Sequence, residues 1–153
     1  MNLVHAQSED DFQRARTLFL EYASSLGFDL SFQNFQSEVA NLPGEYSPPE
    51  GIILVAYEGT EIAGCVALRK LEEGTWEMKR LYVRPHFRGE GIGKRLSTEI
   101  IEEARKRGYQ RMRLDTMPSM QNAIKLYRTL GFREIDPYRY NPQPGALFFE
   151  LVL

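Results

Sequence analysis

Apolar residues recur along the chain in two rhythms, and the change from one to the other marks its organisation. Phe12, Ala15, Leu18, Phe19, Tyr22 and Leu26 return every three or four positions, the spacing of one stripe on an α-helix. Ser8-Glu9-Asp10-Asp11 precedes that stripe as a capping box, and Gly27 stops it. Residues 2–7 fit a short strand, and a second short helix is expected to start near Ser31 and carry Phe32, Phe35 and Val39. The stretch NLPGEYSPPEG then reads as loop.

From Ile52 the pattern is that of strands. IILVAYEGTEIAGCVALRKL holds two β-runs joined by the turn EGTE, and Glu73-Gly74-Thr75 turns the chain into WEMKRLYVRP. Together these predict a three-strand antiparallel meander. Helical spacing returns with Ile92, Leu96, Ile100 and Ala104, stopped at Gly108. YQRMRLDTM is the next strand, and Pro118-Ser119 opens a helix carrying Ala123, Ile124, Leu126, Tyr127 and Leu130 up to Gly131. FREI and ALFFELVL close the chain as strands around DPYRYNPQPG. The order is β-α-α-β-β-β-α-β-α-β-β. Its strand–helix–strand passage from 76 to 116 demands a parallel crossover. The expectation is an α+β fold, one domain over residues 1–153, with a mixed, mostly antiparallel sheet of about seven strands and four helices.

Composition narrows the function classes. The chain has 153 residues, 42% hydrophobic, 26% charged, with a net charge of −2. That balance suits a globular domain and offers no excess of cations for nucleic acid. Between Glu77 and Arg95, however, Lys79, Arg80, Arg84, Arg88, Lys94 and Arg95 face only Glu77 and Glu90. Such a patch suits a small anion, although a solvated basic face is the plainer reading. Cys65 is the single cysteine, in the apolar run IAGCVAL, so no intramolecular disulfide forms and the thiol reads as a small buried hydrophobe. With only His5 and His86 beside it, no metal site is expected. MNLVHAQSEDD lacks the basic start and apolar stretch of a signal peptide, and IILVAY is too short to span a bilayer. The default location is the cytoplasm, with no membrane partner.

The candidate chemistry lies at RGEGIG, residues 88–93, between the strand-like LYV and a helix. A dinucleotide fingerprint fails there, because Gly89, Gly91 and Gly93 are spaced by two. A Walker loop fails too, because Gly93-Lys94 is followed by Arg95. What remains is a turn whose glycines expose backbone N–H groups at a helix N-terminus, a geometry that binds phosphate.

Two motifs give that turn a context. EMKRLYVRPHFRGEGIGKRL resembles the acyl-CoA signature R/Q-x-x-G-x-G/A of the GNAT superfamily N-acetyltransferases, and NAIKLYRTLGF, residues 122–132, resembles that superfamily's second signature, N-x-x-x-x-L-Y-x-x-x-G-F. The element order agrees over essentially the whole chain. The resemblance implies the GNAT acyl-CoA N-acyltransferase fold and acetyl-CoA as co-substrate, with no metal. It implies that the amides of Arg88, Gly89, Glu90, Gly91, Ile92, Gly93 and Lys94 hold the CoA pyrophosphate. Leu81 and Val83 are expected to pair with the pantetheine arm where their strand splays from RLDTM. An amide near Leu81 or Tyr82 is expected to polarise the thioester carbonyl. Asn122 is expected to touch the pantetheine and Tyr127 the sulfur.

Acetyl transfer to an amine needs a base, because an amine with a pKa near 10.4 is mostly protonated at neutral pH. Glu77, four residues before Leu81, is the candidate, acting directly or through water. The plainer reading makes it an exposed strand residue paired with Lys79. Tyr127 is the candidate acid for the departing thiolate, against the plainer reading of a core aromatic beside Ala123 and Leu130. Tyr22, Phe28, Phe32, Phe35, Glu38, Tyr46, Tyr138 and Tyr140 are the candidate acceptor contacts. They suit an amine with an apolar part. The leading expectation is a small-molecule amine N-acetyltransferase working by direct attack in a ternary complex. The alternatives are a protein or peptide acetyltransferase and a non-catalytic CoA-binding domain. Glu77, Asn122 and Tyr127 together speak against the last, and the apolar ALFFELVL allows a homodimer.

Overall fold

The computed structural model describes residues 1–27, 29–30 and 34–153. A seven-stranded mixed sheet runs through it, comprising β1 (Asn2–His5), β2 (Ile52–Glu58), β3 (Glu61–Glu72), β4 (Thr75–Val83), β5 (Arg111–Thr116), β6 (Arg133–Ile135) and β7 (Leu147–Val152), in the spatial order β1-β2-β3-β4-β5-β7-β6. Every neighbouring pair is antiparallel except β4 and β5. The helices are α1 (Glu9–Leu26), α2 (Phe35–Ala40), α3 (Ile92–Lys106) and α4 (Gln121–Thr129). α3 is the crossover that makes β4 and β5 parallel.

The capping box of α1 is formed as read. Ser8 Oγ accepts from the Asp11 amide at 3.1 Å, the Asp11 carboxylate accepts from the Ser8 amide at 3.2 Å, and Gly27 ends the helix in the left-handed region. Two starts differ from expectation. α2 begins at Phe35 after a left-handed Asn34, whereas the expected start at Ser31 and the residue Phe32 lie outside the described residues. α4 begins at Gln121 rather than at Pro118-Ser119, because the chain first makes a turn from Met117 to Met120.

The sheet separates two apolar layers. Ile52, Leu54 and Ala56 of β2 pack with Leu96, Ile100 and Ala104 of α3, while the alternate residues Ile53 and Val55 pack with Ala15, Leu18 and Phe19 of α1. A buried strand in a two-layer cover shows this alternation of partners. In β4 the alternation changes phase. Trp76 and Met78 join the α3 layer, and so do Leu81 and Val83, while Tyr82 joins the α1 layer. The phase changes because residues Lys79 to Tyr82 lie opposite only Cys65 to Ala67, and Arg80 takes a φ of 61°. One extra residue makes a β-bulge, which bends its strand. The bulge is held from two sides: Cys65 Sγ donates to Arg80 O at 3.3 Å, and the Arg80 guanidinium grips Glu38 of α2 through bonds of 2.9 and 3.0 Å.

Candidate active site

The bulge sits where β4 leaves β5. Their parallel register stops at Glu77 opposite Arg113, although β4 continues to Val83 and β5 to Thr116. Beyond that point the strands part around a cleft lined by Lys79 and Leu81 of β4, Asp115 and Thr116 of β5, Tyr22 of α1 and Tyr127 of α4. Counting the space at its mouth, the cleft holds about 580 Å³. The expected splay is present, and Leu81 borders it.

After β4 comes a 3₁₀ turn, Pro85–Phe87, and then the glycine loop. Gly89 and Gly91 have φ of 85° and 80°, a region costly for residues with a Cβ. The first backbone bond of α3 runs from the Arg95 amide to Gly91 O at 3.0 Å. The amides of residues 89–94 therefore have no backbone acceptor among the described residues, at the positive end of a 15-residue helix. The Arg88 amide is different: it is bonded to Pro85 O at 3.3 Å. The Arg88 side chain folds back, donating to Val83 O at 2.9 Å and lying over the Tyr82 ring. Lys94 and Arg95 stay exposed beside the loop.

The basic patch is smaller than the sequence suggests. Lys79 and Arg80 are buried, and Arg84 is gripped by Glu21 at 2.7 and 3.0 Å. Tyr127 is buried and its ring packs near Phe132 and Phe149, so the core reading is true of its ring. Its side chain also lines the cleft, and burial pushes its hydroxyl pKa well above the ordinary value. Asn122 is exposed on the first turn of α4 and makes no side-chain hydrogen bond among the described residues.

Glu77 is not the exposed strand residue of the plainer reading; it has no solvent exposure at all. Its Oε1 accepts from Arg69 Nε at 3.0 Å and from Arg139 at 2.7 Å, and its Oε2 accepts from Tyr138 Oη at 2.7 Å. Lys79 Nζ stands 3.8 Å from Oε1. Burial raises the carboxyl pKa, but Lys79, Arg139 and Arg69, with the Tyr138 hydroxyl, more than reverse it, and the net direction is down. Glu77 does not line the cleft; Lys79 does. With no exposed surface, Glu77 can reach a molecule in that cleft only through an intervening group.

Of the aromatic acceptor candidates, Tyr22 alone among the described residues reaches the cleft. Phe35 and Tyr46 belong to the α1 layer, Tyr138 is spent on Glu77, and Tyr140 points to solvent at 78% exposure. Glu38 is held by Arg80, and Phe28 and Phe32 lie outside the described residues. Sequence reasoning missed Asp115 and Lys79 as cleft residues. The signal was the strand alternation: Met112 and Leu114 face α3, so Arg113 and Asp115 face the other side, where Glu77 and Lys79 also point.

A family model described as the acetyltransferase (GNAT) family matches residues 12–132. The chain belongs to the GNAT family of acetyltransferases. Among its GNAT relatives is a protein of Schizosaccharomyces pombe named as an N-acetyltransferase, 44% identical over 148 residues, spanning 95% of this chain and 88% of that one. The N-acetylaspartate synthetase of Danio rerio is 33% identical over 124 residues, covering 75% of this chain and 44% of its own length. In three dimensions, the PaiA N-acetyltransferase of Thermoplasma acidophilum, solved in complex with coenzyme A, superposes with a TM-score of 0.75 over all of both chains at 18% identity. The GNAT fold read from the two motifs is the fold observed.

Proposed function

We propose that this GNAT protein transfers the acetyl group of acetyl-CoA to a primary amine of a small molecule, by direct attack with both substrates bound. The observation that carries the reading is the junction of two features: parted strands form a cleft, and a run of unpaired amides follows at the start of α3. Acetyl-CoA supplies an activated acetyl thioester when bound. The loop fits that donor, because free N–H groups at a helix N-terminus suit a pyrophosphate, with Lys94 and Arg95 adding charge. The edge of β4 at Leu81 and Val83, unpaired on its β5 side beyond Glu77, is suited to hold the pantetheine arm as an added strand. An amide at Leu81 or Tyr82 is the candidate oxyanion donor, and Asn122 the candidate contact to the arm. Tyr127 keeps its proton across the neutral range, so it can donate to the departing sulfur.

The acceptor's proton has two candidate destinations. Glu77 can take it through water, although its depressed pKa makes it a weak base. A second reading is favoured by Asp115, a carboxylate that lines the cleft itself. Glu77→Gln and Asp115→Asn separate them. The base variant should lose about a hundredfold or more in kcat, with the loss shrinking at high pH as the acceptor deprotonates unaided.

A small acceptor suits a cleft bounded by side chains of β4, β5, α1 and α4. The relative named for N-acetylaspartate points the same way. The test is release of free thiol from acetyl-CoA across amino acids, polyamines, aminoglycosides and peptides. Turnover restricted to peptides would overturn the small-molecule reading. Tight CoA binding with no release would leave a CoA-binding domain in its place.

A further inference from the structure

We infer that the acceptor carries a carboxylate besides its amine, and that the carboxylate is seated on Lys79 where β4 and β5 part. The inference rests on the reading of this cleft as the acceptor site. Lys79 is 5% exposed and lines the cleft, yet its Nζ has no hydrogen-bond partner among the described residues. Its one ion contact among the described residues, Glu77 Oε1 at 3.8 Å, is beyond hydrogen-bond range. That oxygen is already taken by Arg69 and Arg139. An ammonium carries three donors and no acceptor, so the group missing from Nζ must be an acceptor.

The surrounding groups narrow the kind. Lys79, Arg69 and Arg139 converge on the single carboxylate of Glu77, and Arg69 has a second partner in Glu45. A second buried donor, Arg139 Nε, is also without a partner among the described residues. Asp115, facing Lys79 from β5, brings the carboxylates of this group to three against three cations. Within that balanced group the Nζ donors stay unsatisfied among the described residues, and a carboxylate answers them more strongly than a neutral oxygen does. Asp115 accepts from Asn141 at 3.2 Å and acts on Lys79 through its charge, with no hydrogen bond to Nζ among the described residues. Arg80, next along β4, is committed to Glu38.

Burying an ammonium without a hydrogen bond costs stability, and a methionine of similar length would pack there without that cost. The lysine is therefore better explained by something it binds than by what it does for the fold. With Lys79 and Asp115 both on the cleft, an acceptor carrying a carboxylate and an ammonium is matched at both ends, which is the pattern of an amino acid. Burial lowers the Lys79 pKa to about 8, against the pull of Glu77 and Asp115 and with the push of Arg80 and Arg69. Lys79 is thus cationic at neutral pH and loses its charge as pH climbs past that value.

The experiment compares each amino acid with its own carboxamide as acceptor, by thiol release from acetyl-CoA, in the native protein and in Lys79→Met. A charged hydrogen bond of this kind corresponds to a preference of about tenfold to a hundredfold in kcat/KM for the acid. In Lys79→Met that ratio should collapse to within about threefold, while CoA titration verifies that the variant is folded. In the native protein the ratio should also fall above pH 8. Equal use of acids and amides, or a preference that survives in Lys79→Met, overturns the inference. A second readout is thermal stabilisation of the CoA-loaded protein by amino acids and N-acetyl amino acids. If no acceptor turns over but these carboxylates stabilise the native protein and not Lys79→Met, the transfer reading fails and the anion seat stands. If neither turnover nor stabilisation depends on Lys79, the seat is refuted.

Discussion

Tyr127 and Glu77 show how far one residue's environment can move its chemistry. Tyr127 satisfies two readings at once, because its ring belongs to the α3 layer while its side chain borders the cleft. Its hydroxyl, with its pKa pushed upward by burial, keeps its proton near neutral pH and is suited to serve as an acid rather than as a base. Tyr127→Phe should lower kcat by about a hundredfold, as loss of a general acid does, and leave acetyl-CoA affinity nearly intact by titration. Weaker CoA binding with an undiminished chemical step would contradict that role. Glu77 was picked from the sequence for its position relative to Leu81. Its saturation by Arg69, Arg139 and Tyr138 could not have been, since those partners lie 8, 62 and 61 residues away. The candidate was legible from the sequence, but its isolation from the cleft was not.

At the scale of elements, the loop and α3 form a unit whose backbone is proposed to hold the donor. Gly91 precedes α3 in the left-handed region, and a Cβ built on it would meet nothing within 4 Å. A side chain there is therefore opposed by backbone conformation and not by any neighbour in the fold. Gly91→Val should cost roughly 1–3 kcal/mol of stability in chemical denaturation. It should also raise the KM for acetyl-CoA about tenfold by distorting the amides and crowding the pyrophosphate. Unchanged CoA affinity would remove the loop from the donor site. Gly93 differs, because it lies inside the helix and its Cβ would make ordinary contact with Val83 at 3.7 Å. The sequence treated the two glycines alike. Only the backbone separates Gly91, needed for its conformation, from Gly93, which lies close against the end of β4.

Across the whole molecule, the buried Glu77 ties β3, β4 and the segment before β7 together through Arg69 and Arg139, and a separate pair, Arg80 with Glu38, ties β4 to α2. Glu77 is held below the ordinary carboxyl pKa by those cations. Its contribution to stability is therefore fully present above its unfolded value, near 4.5, and is lost as pH falls through the lower folded value. Thermal unfolding between pH 6 and 3 should show a steep acid limb. Glu77→Gln should flatten that limb while lowering stability at pH 7 by about 3–5 kcal/mol, because the cations are left without their carboxylate. An acid limb unchanged in Glu77→Gln would assign acid unfolding to other carboxylates. No helix among the described residues is long and apolar enough to cross a membrane.

The sequence by itself determined the element order, the parallel crossover, the capping box, the glycine loop and the family. Each of these depends on residues close together in the chain, where periodicity, turn chemistry and motif spacing act directly. The bulge at Arg80 was half visible, in apolar residues at 76 and 78 that resume at 81 and 83. Its left-handed backbone and its grip on Glu38 were not. The tertiary structure alone decided which polar residues meet: Lys79 with Asp115 across the parted strands, and Glu77 enclosed by three distant partners. Such a cluster is fixed by strand register and by which face each side chain takes. One bulge resets both, so the polar lining of the cleft is a property of the fold and the glycine loop a property of the motif.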